Sequence, residues 1–213
     1  MMFDEEERTR TVHHRHSGER ISLDRYYTPS KLARATLIAL NRMEPVEGVI
    51  LEPGAGAGAF ALAVLDLTSA KVIVGDIDPE ALALKSTLWE PRRSAGKPYP
   101  AGFLSRQDFL DVDWLRPSWV IGNPPYLNAE AHVRHALAIS QRVVFLLRSS
   151  FASSKKRIQL WSDHPPRHVW QLAQRPSFTG GGTDNSEYSV FFWDQGWEGP
   201  STFTPGWDWK SEE

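Results

Sequence analysis

The 213-residue chain contains no cysteine. That removes disulfide frameworks, Cys-based zinc sites and thiolate nucleophiles together, and it fits a reducing compartment. Neither charge sign dominates: 24 Lys and Arg against 26 Asp and Glu leave a formal charge of −2. A surface coated in basic residues is therefore excluded, while a local basic groove is not. Long apolar runs are also missing. The most apolar stretch, around Ala55–Leu67, is short, rich in glycine and interrupted by Asp66, so it cannot span a bilayer. The amino terminus, MMFDEEERTR, is acidic where a signal peptide is basic and then apolar. The expected location is cytoplasmic, with no membrane partner. The length suits one domain with a full hydrophobic core.

Residues 1–20 carry almost no apolar side chains and read as a mobile polar arm. His13, His14 and His16 belong to that arm, which fixes no coordination geometry, so no metal site is expected. Thr28-Pro29 is a helix-start signal, a capping hydroxyl followed by proline at the first helical position. Leu32, Thr36, Ala39 or Leu40, and Met43 then recur at helical spacing. Strands are expected at 48–52, 71–75, 102–105, 118–122 and 142–147, with helices over 59–67, 79–88 and 130–140. This alternation predicts an α/β fold with a mostly parallel sheet and helices on both faces. Residues 169–174 and 187–193 read as a C-terminal hairpin that adds an antiparallel edge. The expected organisation is an arm (1–20), one domain (21–195) and an irregular tail (196–213), packed by Trp197, Trp207 and Trp209.

Four short motifs share one logic. LEPGAGAGAF places Gly54, Gly56 and Gly58 where the first strand turns into a helix, so that backbone can approach a ligand closely. The third glycine comes one residue earlier than in a dinucleotide fingerprint, and Glu52 precedes the loop. An acid there repels a pyrophosphate but suits a cationic ligand; a tight structural turn is the alternative. Asp76, 22 positions after Gly54 at the end of the second strand, suits ribose hydroxyls, and Asp78 suits capping before Pro79. Asp108-Phe109 stands where a third strand ends; the acid suits an adenine amino group and the ring suits packing on the nucleoside. Asn123-Pro124-Pro125-Tyr126 follows the strand SWVIG directly. The two prolines fix an extended backbone, which aims the Asn123 side chain and the Pro124 carbonyl into one pocket beside the Tyr126 ring.

In this order YYTP, LEPGAGAG, GDIDP, QDF and NPPY resemble the motifs of class I S-adenosylmethionine-dependent amino-methyltransferases, a Rossmann-like fold. The resemblance extends to small phage and bacterial DNA adenine-N6 methyltransferases, through DRYYTP and the late aromatic segment RPSFTGGGTDNSEYSVFFW, and covers about residues 23–195. It implies S-adenosylmethionine as cofactor. Tyr27 and Thr28 would lie at its methionine end, with Thr28 holding the carboxylate and Glu52 and the Gly54–Gly58 backbone beside it. Asp76 would bind the ribose, Ile77 would pack on the adenine, and Asp108 with Phe109 would complete the adenine site.

The chemistry follows from the residues. An exocyclic adenine amine is a poor nucleophile because its lone pair is delocalised into the ring. Acceptance of its two N–H groups by Asn123 and Pro124 would localise that pair for direct transfer, so placement and electrostatics suffice. Cytosine-C5 chemistry needs a cysteine and is excluded. The base must be flipped or already single-stranded, with Tyr126 stacking on one face. Phe178 is either a second wall or a core residue at the hairpin base. Lys155, Lys156 and Arg157 are phosphate ligands or a solvated loop. The expected partner is DNA. RNA adenine, a protein glutamine amide and a non-catalytic cofactor-binding subunit remain alternatives. With no length left for a large recognition region, short sequence preference, a homodimer or a specificity-conferring partner is expected.

Overall fold

The computed structural model describes residues 26–113, 115–178 and 185–212. The arm with its three histidines and most of the glycine-rich segment after Phe178 lie outside the described residues. In chain order the elements are α1 (Ser30–Met43), β1 (Val49–Pro53), α2 (Ala59–Leu67), β2 (Lys71–Asp76), α3 (Ser86–Ser94) and β3 (Gly102–Ser105). They continue with β4 (Trp119–Gly122), α4 (Ala129–Ile139), β5 (Arg142–Arg148), α5 (Ile158–Asp163), β6 (His168–Leu172), β7 (Tyr188–Asp194) and β8 (Thr202–Trp207). No helix among the described residues is long and apolar enough to cross a membrane.

The strands form one eight-stranded sheet in the order β3-β2-β1-β4-β5-β7-β6-β8. β1 to β5 pair in parallel. Their cores read VIL, VIV, WVI and VVFLL because both faces are covered, which selects continuous β-branched and aromatic runs. Period-2 alternation sorts those residues. Ile50, Val72, Val74, Ile121, Val144 and Leu146 join the core under α1, α2 and α3. Leu51, Val120, Val143, Phe145 and Leu147 join the core under α4 and α5. The α/β architecture with helices on both faces is as expected.

The antiparallel pairing at the C-terminal side is present, with β7 inserted between β5 and β6 and antiparallel to both. Beyond it the tail differs from expectation. Instead of being irregular, it forms β8, parallel to β6. Without β8 the outer edge of β6 would expose a row of unpaired backbone groups. Pro205 and Gly206 obscure the strand in the sequence but are tolerated because β8 is itself the edge, with a bulge opposite Trp170–Leu172. Trp207 and Trp209 are buried, as expected, whereas Trp197 is 43% exposed.

Two helix expectations need correction. Pro29 has extended ψ (132°) and is itself the N-cap of α1, so Thr28 lies outside the helix. After β2, the helix expected over 79–88 is replaced by a turn over 82–84 and then α3. The cause is tertiary. The Ala83 amide donates to the Gly56 carbonyl at 2.9 Å, and the Trp89 indole donates to the Ala83 carbonyl at 2.8 Å. Those bonds hold the chain against the glycine loop in a geometry a continuous helix could not reach.

Phe192 is fully buried, with its ring stacked on Trp119 at 5.6 Å between centroids. Phe192→Ala is expected to destabilise the fold by about 3–5 kcal/mol through lost burial and a residual cavity. Urea unfolding measures this, and a change below ~1 kcal/mol would contradict the packing described.

Candidate active site

Successive strands run from β1 outward through β2 and β3, and from β4 outward through β5 on the other side. The chain direction therefore switches between β1 and β4, and ligands of open α/β sheets bind in the crevice beyond the carboxyl ends at such a point. The glycine loop leaves β1 here and Asn123 leaves β4 here. Asp76 ends β2, and Asp108 follows β3. All four sequence motifs therefore share one edge of the sheet.

Carboxylates hold the glycine loop in shape. Gly54, Gly56 and Gly58 have φ of +62°, +53° and +74°, and the space where a Gly54 Cβ would stand is open. That leaves bare backbone facing the crevice. Glu52 is 4% exposed, and its two oxygens accept from the Phe60 amide (3.2 Å) and the Ala61 amide (2.7 Å). It thus satisfies orphan donors of the first turn of α2. Burial pushes its carboxyl up to about 8, against the pull of the Ala61 and Phe60 donors, and the nearby Asp76 adds to the rise. Asp76 accepts from the Gly56 amide through Oδ2 and from the Asp78 amide through Oδ1, both at 2.9 Å. Carboxylate oxygens have further lone pairs, so Asp76 can hold the loop and still accept from a ligand. Asp78 accepts from the Glu80 amide at 3.0 Å, the capping role expected of it, although in a turn rather than a helix.

A narrow pocket is lined by Tyr26, Tyr27, Thr28, Glu52, the Gly54–Ala57 backbone and Asn123. Tyr27 lies over the loop, since a Cβ on Gly56 would come within 3.1 Å of its ring. The Thr28 side chain makes no hydrogen bond among the described residues and faces this pocket as a lining residue. Ile77 is 53% exposed beside Asp76. Asp108 accepts from the Leu110 amide at 3.0 Å through one oxygen.

Asn123 is the most informative group. Its Nδ2 donates to the Tyr26 carbonyl at 3.1 Å. A carbonyl accepts only from the NH₂ side of the amide, so this bond fixes which way Asn123 points. Its Oδ1 is buried and has no hydrogen-bond partner among the described residues. An unmatched buried acceptor is costly, about 1–3 kcal/mol. Gly122, just before it, fits because a Cβ there would come within 3.4 Å of the Pro53 carbonyl. Tyr126 packs with Tyr26 (5.0 Å), Tyr188 (5.5 Å) and Phe178 (6.4 Å), and Arg148 lies over its ring at 5.2 Å.

Three expected site residues have other surroundings. Phe109 is buried, with its ring between His132 and His135 of α4, so it anchors the Asp108 turn where packing on a nucleoside was expected. Arg157 pairs with Glu130 (3.2 Å), donates to the Phe151 carbonyl (3.0 Å) and lies over the Phe151 ring. It braces α4 to the segment before α5, which leaves Lys155 and Lys156 exposed as the available cations. Phe178 is 7% exposed within the aromatic cluster, which fits the core reading of that residue. Sequence reasoning missed Tyr26, Tyr188 and Arg148. Tyr26 and Tyr188 stand in motifs already singled out, but a backbone acceptor and a ring contact across the sheet leave no local signal.

No protein-family model matches the chain, and no curated protein matches it in sequence. Solved structures do resemble it. A "putative RNA methyltransferase" from Pyrococcus horikoshii superposes with a TM-score of 0.64 at 21% identity, over 81% of this chain and 88% of that one. A type I restriction-modification methyltransferase subunit from Streptococcus thermophilus gives 0.64 at 15% identity, over 84% of this chain and 47% of that one. TrmK from M. capricolum, solved with S-adenosyl-homocysteine, gives 0.51 at 10% identity, over 79% and 69%. The chain thus spans about half the length of the restriction-modification subunit. At these identities the likeness concerns the fold, which is the methyltransferase fold expected from the motifs.

Because the folded Glu52 carboxyl titrates near 8 rather than 4.5, the folded state holds a proton that the unfolded state has lost across that window. Stability attributable to this group is therefore highest below pH 4.5 and falls as pH rises toward 8. Thermal unfolding of the wild type and Glu52→Gln across this range tests it. The stability difference should shift steadily in favour of the Gln variant as pH rises, and a pH-independent difference would refute the assignment.

Proposed function

We propose that the chain transfers a methyl group from S-adenosylmethionine to the exocyclic N6 amine of adenine in DNA, with short or relaxed sequence preference. The observation that carries this reading is the buried Asn123 Oδ1, an acceptor without a partner among the described residues, at the end of β4 beside an aromatic ring.

The residues around the glycine loop suit the chemistry of the cofactor. Open backbone at Gly54 admits close approach, and Asp76, which accepts from the Gly56 amide with lone pairs to spare, stands beside a loop that would meet a sulfonium cation. Thr28 and Tyr27 would hold the methionine end. Asp76, Ile77 and Asp108 would take ribose, adenine ring and adenine amine in turn. When bound, the cofactor supplies an electrophilic methyl group. The chain's own contribution is placement. Asn123 Oδ1 and the Pro124 carbonyl would accept the two amine hydrogens, which localises the nitrogen lone pair, while Pro125 fixes the backbone and Tyr126 stacks on the base. Lys155 and Lys156 would meet phosphates. TrmK, with S-adenosyl-homocysteine in its structure, supports the cofactor reading, and the restriction-modification methyltransferase subunit is compatible with a nucleic-acid substrate. The Pyrococcus horikoshii protein, described as an RNA methyltransferase, favours RNA as the substrate of the second reading.

Asn123→Ala is expected to lower methyl transfer by ~10²–10³-fold while the cofactor still binds in calorimetry. Binding lost together with turnover would make Asn123 structural. The decisive assay offers labelled cofactor with duplex DNA, single-stranded DNA, RNA and a glutamine peptide, and identifies the product by mass spectrometry. N6-methyladenine in DNA is expected. Label in RNA or in the peptide alone would replace the substrate assignment, and no label in any would leave a cofactor-binding subunit.

A further inference from the structure

A second concavity lies on the opposite face of the sheet from the glycine loop. Its volume is about 350 Å³, within the ~300–1,000 Å³ range of small-ligand pockets. The strand register defines its floor. Phe191 pairs with Val169, which pairs with Phe203, giving an apolar row across β7, β6 and β8. Ser189 pairs with Gln171, giving a polar row two residues closer to the edge from which Asn123 emerges. Trp161 of α5, stacked on Phe191 at 6.0 Å, forms one wall. Ser149, whose hydroxyl bonds that of Ser189 at 2.8 Å, forms the other. The turn joining the two walls carries the exposed Lys155 and Lys156.

We propose that, given the nucleic-acid substrate proposed above, this cavity holds a second base of the same strand, near the methylated one. Aromatic surfaces at Trp161, Phe191 and Phe203 suit the flat face of any base. The Gln171 amide makes no hydrogen bond among the described residues and offers a donor and an acceptor side by side, the pattern that pairs with a base edge and best with adenine. Phe203 is 59% exposed, so the floor opens to the solvent through which a strand arrives. The two lysines match the phosphates that must accompany a base. An apolar peptide would satisfy the aromatic rows but leave Gln171 and both cations unmatched.

The two sites are adjacent along the chain. Arg148 lies over the Tyr126 ring, and the next residue, Ser149, begins the second cavity. From β4 to β6 there are three strand spacings, roughly 14 Å, within reach of neighbouring nucleotides. In this arrangement the C-terminal strands add a base-reading element beside the pocket of Asn123.

The test uses the full chain with single-stranded oligonucleotides holding one adenine, in which an abasic site is moved stepwise away from that adenine. Binding is followed by fluorescence anisotropy and methyl transfer by label. One abasic position should weaken wild-type binding about tenfold or more. Phe203→Ala and Gln171→Ala should bind the intact strand more weakly by a similar factor and be indifferent to that same abasic position. Circular dichroism checks that the variants remain folded, which Phe203, being exposed, favours. Methylated oligonucleotides without any sensitive abasic position would overturn the second-base site alone. Variants that bind as the wild type would do the same and leave this face to a protein partner. A wild type that neither binds nor methylates any oligonucleotide would overturn the nucleic-acid reading itself.

Discussion

The site depends on how two carboxylates hold one loop. Glu52, buried at the end of β1, accepts from the first turn of α2, and Asp76 reaches across from β2 to the Gly56 amide. Together they fix a backbone with three glycines at positive φ. The neighbouring segments are placed against that loop. Ala83 bonds to Gly56 and diverts the chain after β2, and Tyr27 lies on Gly56. One residue earlier, the Tyr26 carbonyl orients the Asn123 amide. A chain of contacts thus runs from a buried acid to the direction of the acceptor in the NPPY motif.

Charge is divided accordingly. The crevice beside the glycine loop holds the Asp76 side chain and bare backbone, whereas the exposed Lys155 and Lys156 follow β5. Arg148 lies between the two, over the Tyr126 ring. Acidic and basic side chains are thereby segregated in a protein whose net charge is close to zero. The rings of Tyr26, Tyr126, Phe178 and Tyr188 pack together at this end of the sheet.

Much of the parallel half was legible because its signals are local. Period-2 patterning, glycines after β1, and prolines after β4 each act within a few residues, and all four motifs do converge on one edge. What escaped was set by partners distant in sequence. The helix after β2 begins later than expected because Ala83 bonds to Gly56. β8 exists because β6 has an edge to cover, although Pro205 and Gly206 speak against a strand. Arg157 reads as a free cation until Glu130 and the Phe151 carbonyl are seen beside it.

The amino-acid sequence by itself determined the α/β class, the alternation of the parallel half and the glycine loop with its preceding Glu52 and its NPPY partner, since these follow from residue type and short spacing. The absence of cysteine likewise excluded thiolate chemistry without any coordinates. Only the tertiary structure decided which polar atoms remain unmatched. Asn123 offers its oxygen because Tyr26, 97 positions earlier, takes its nitrogen. Phe109 turns inward because α4 lies beneath it. Hydrogen-bond capacity is carried by each residue, but whether it is used depends on which groups folding brings within about 3 Å, and that is not a local property of the chain.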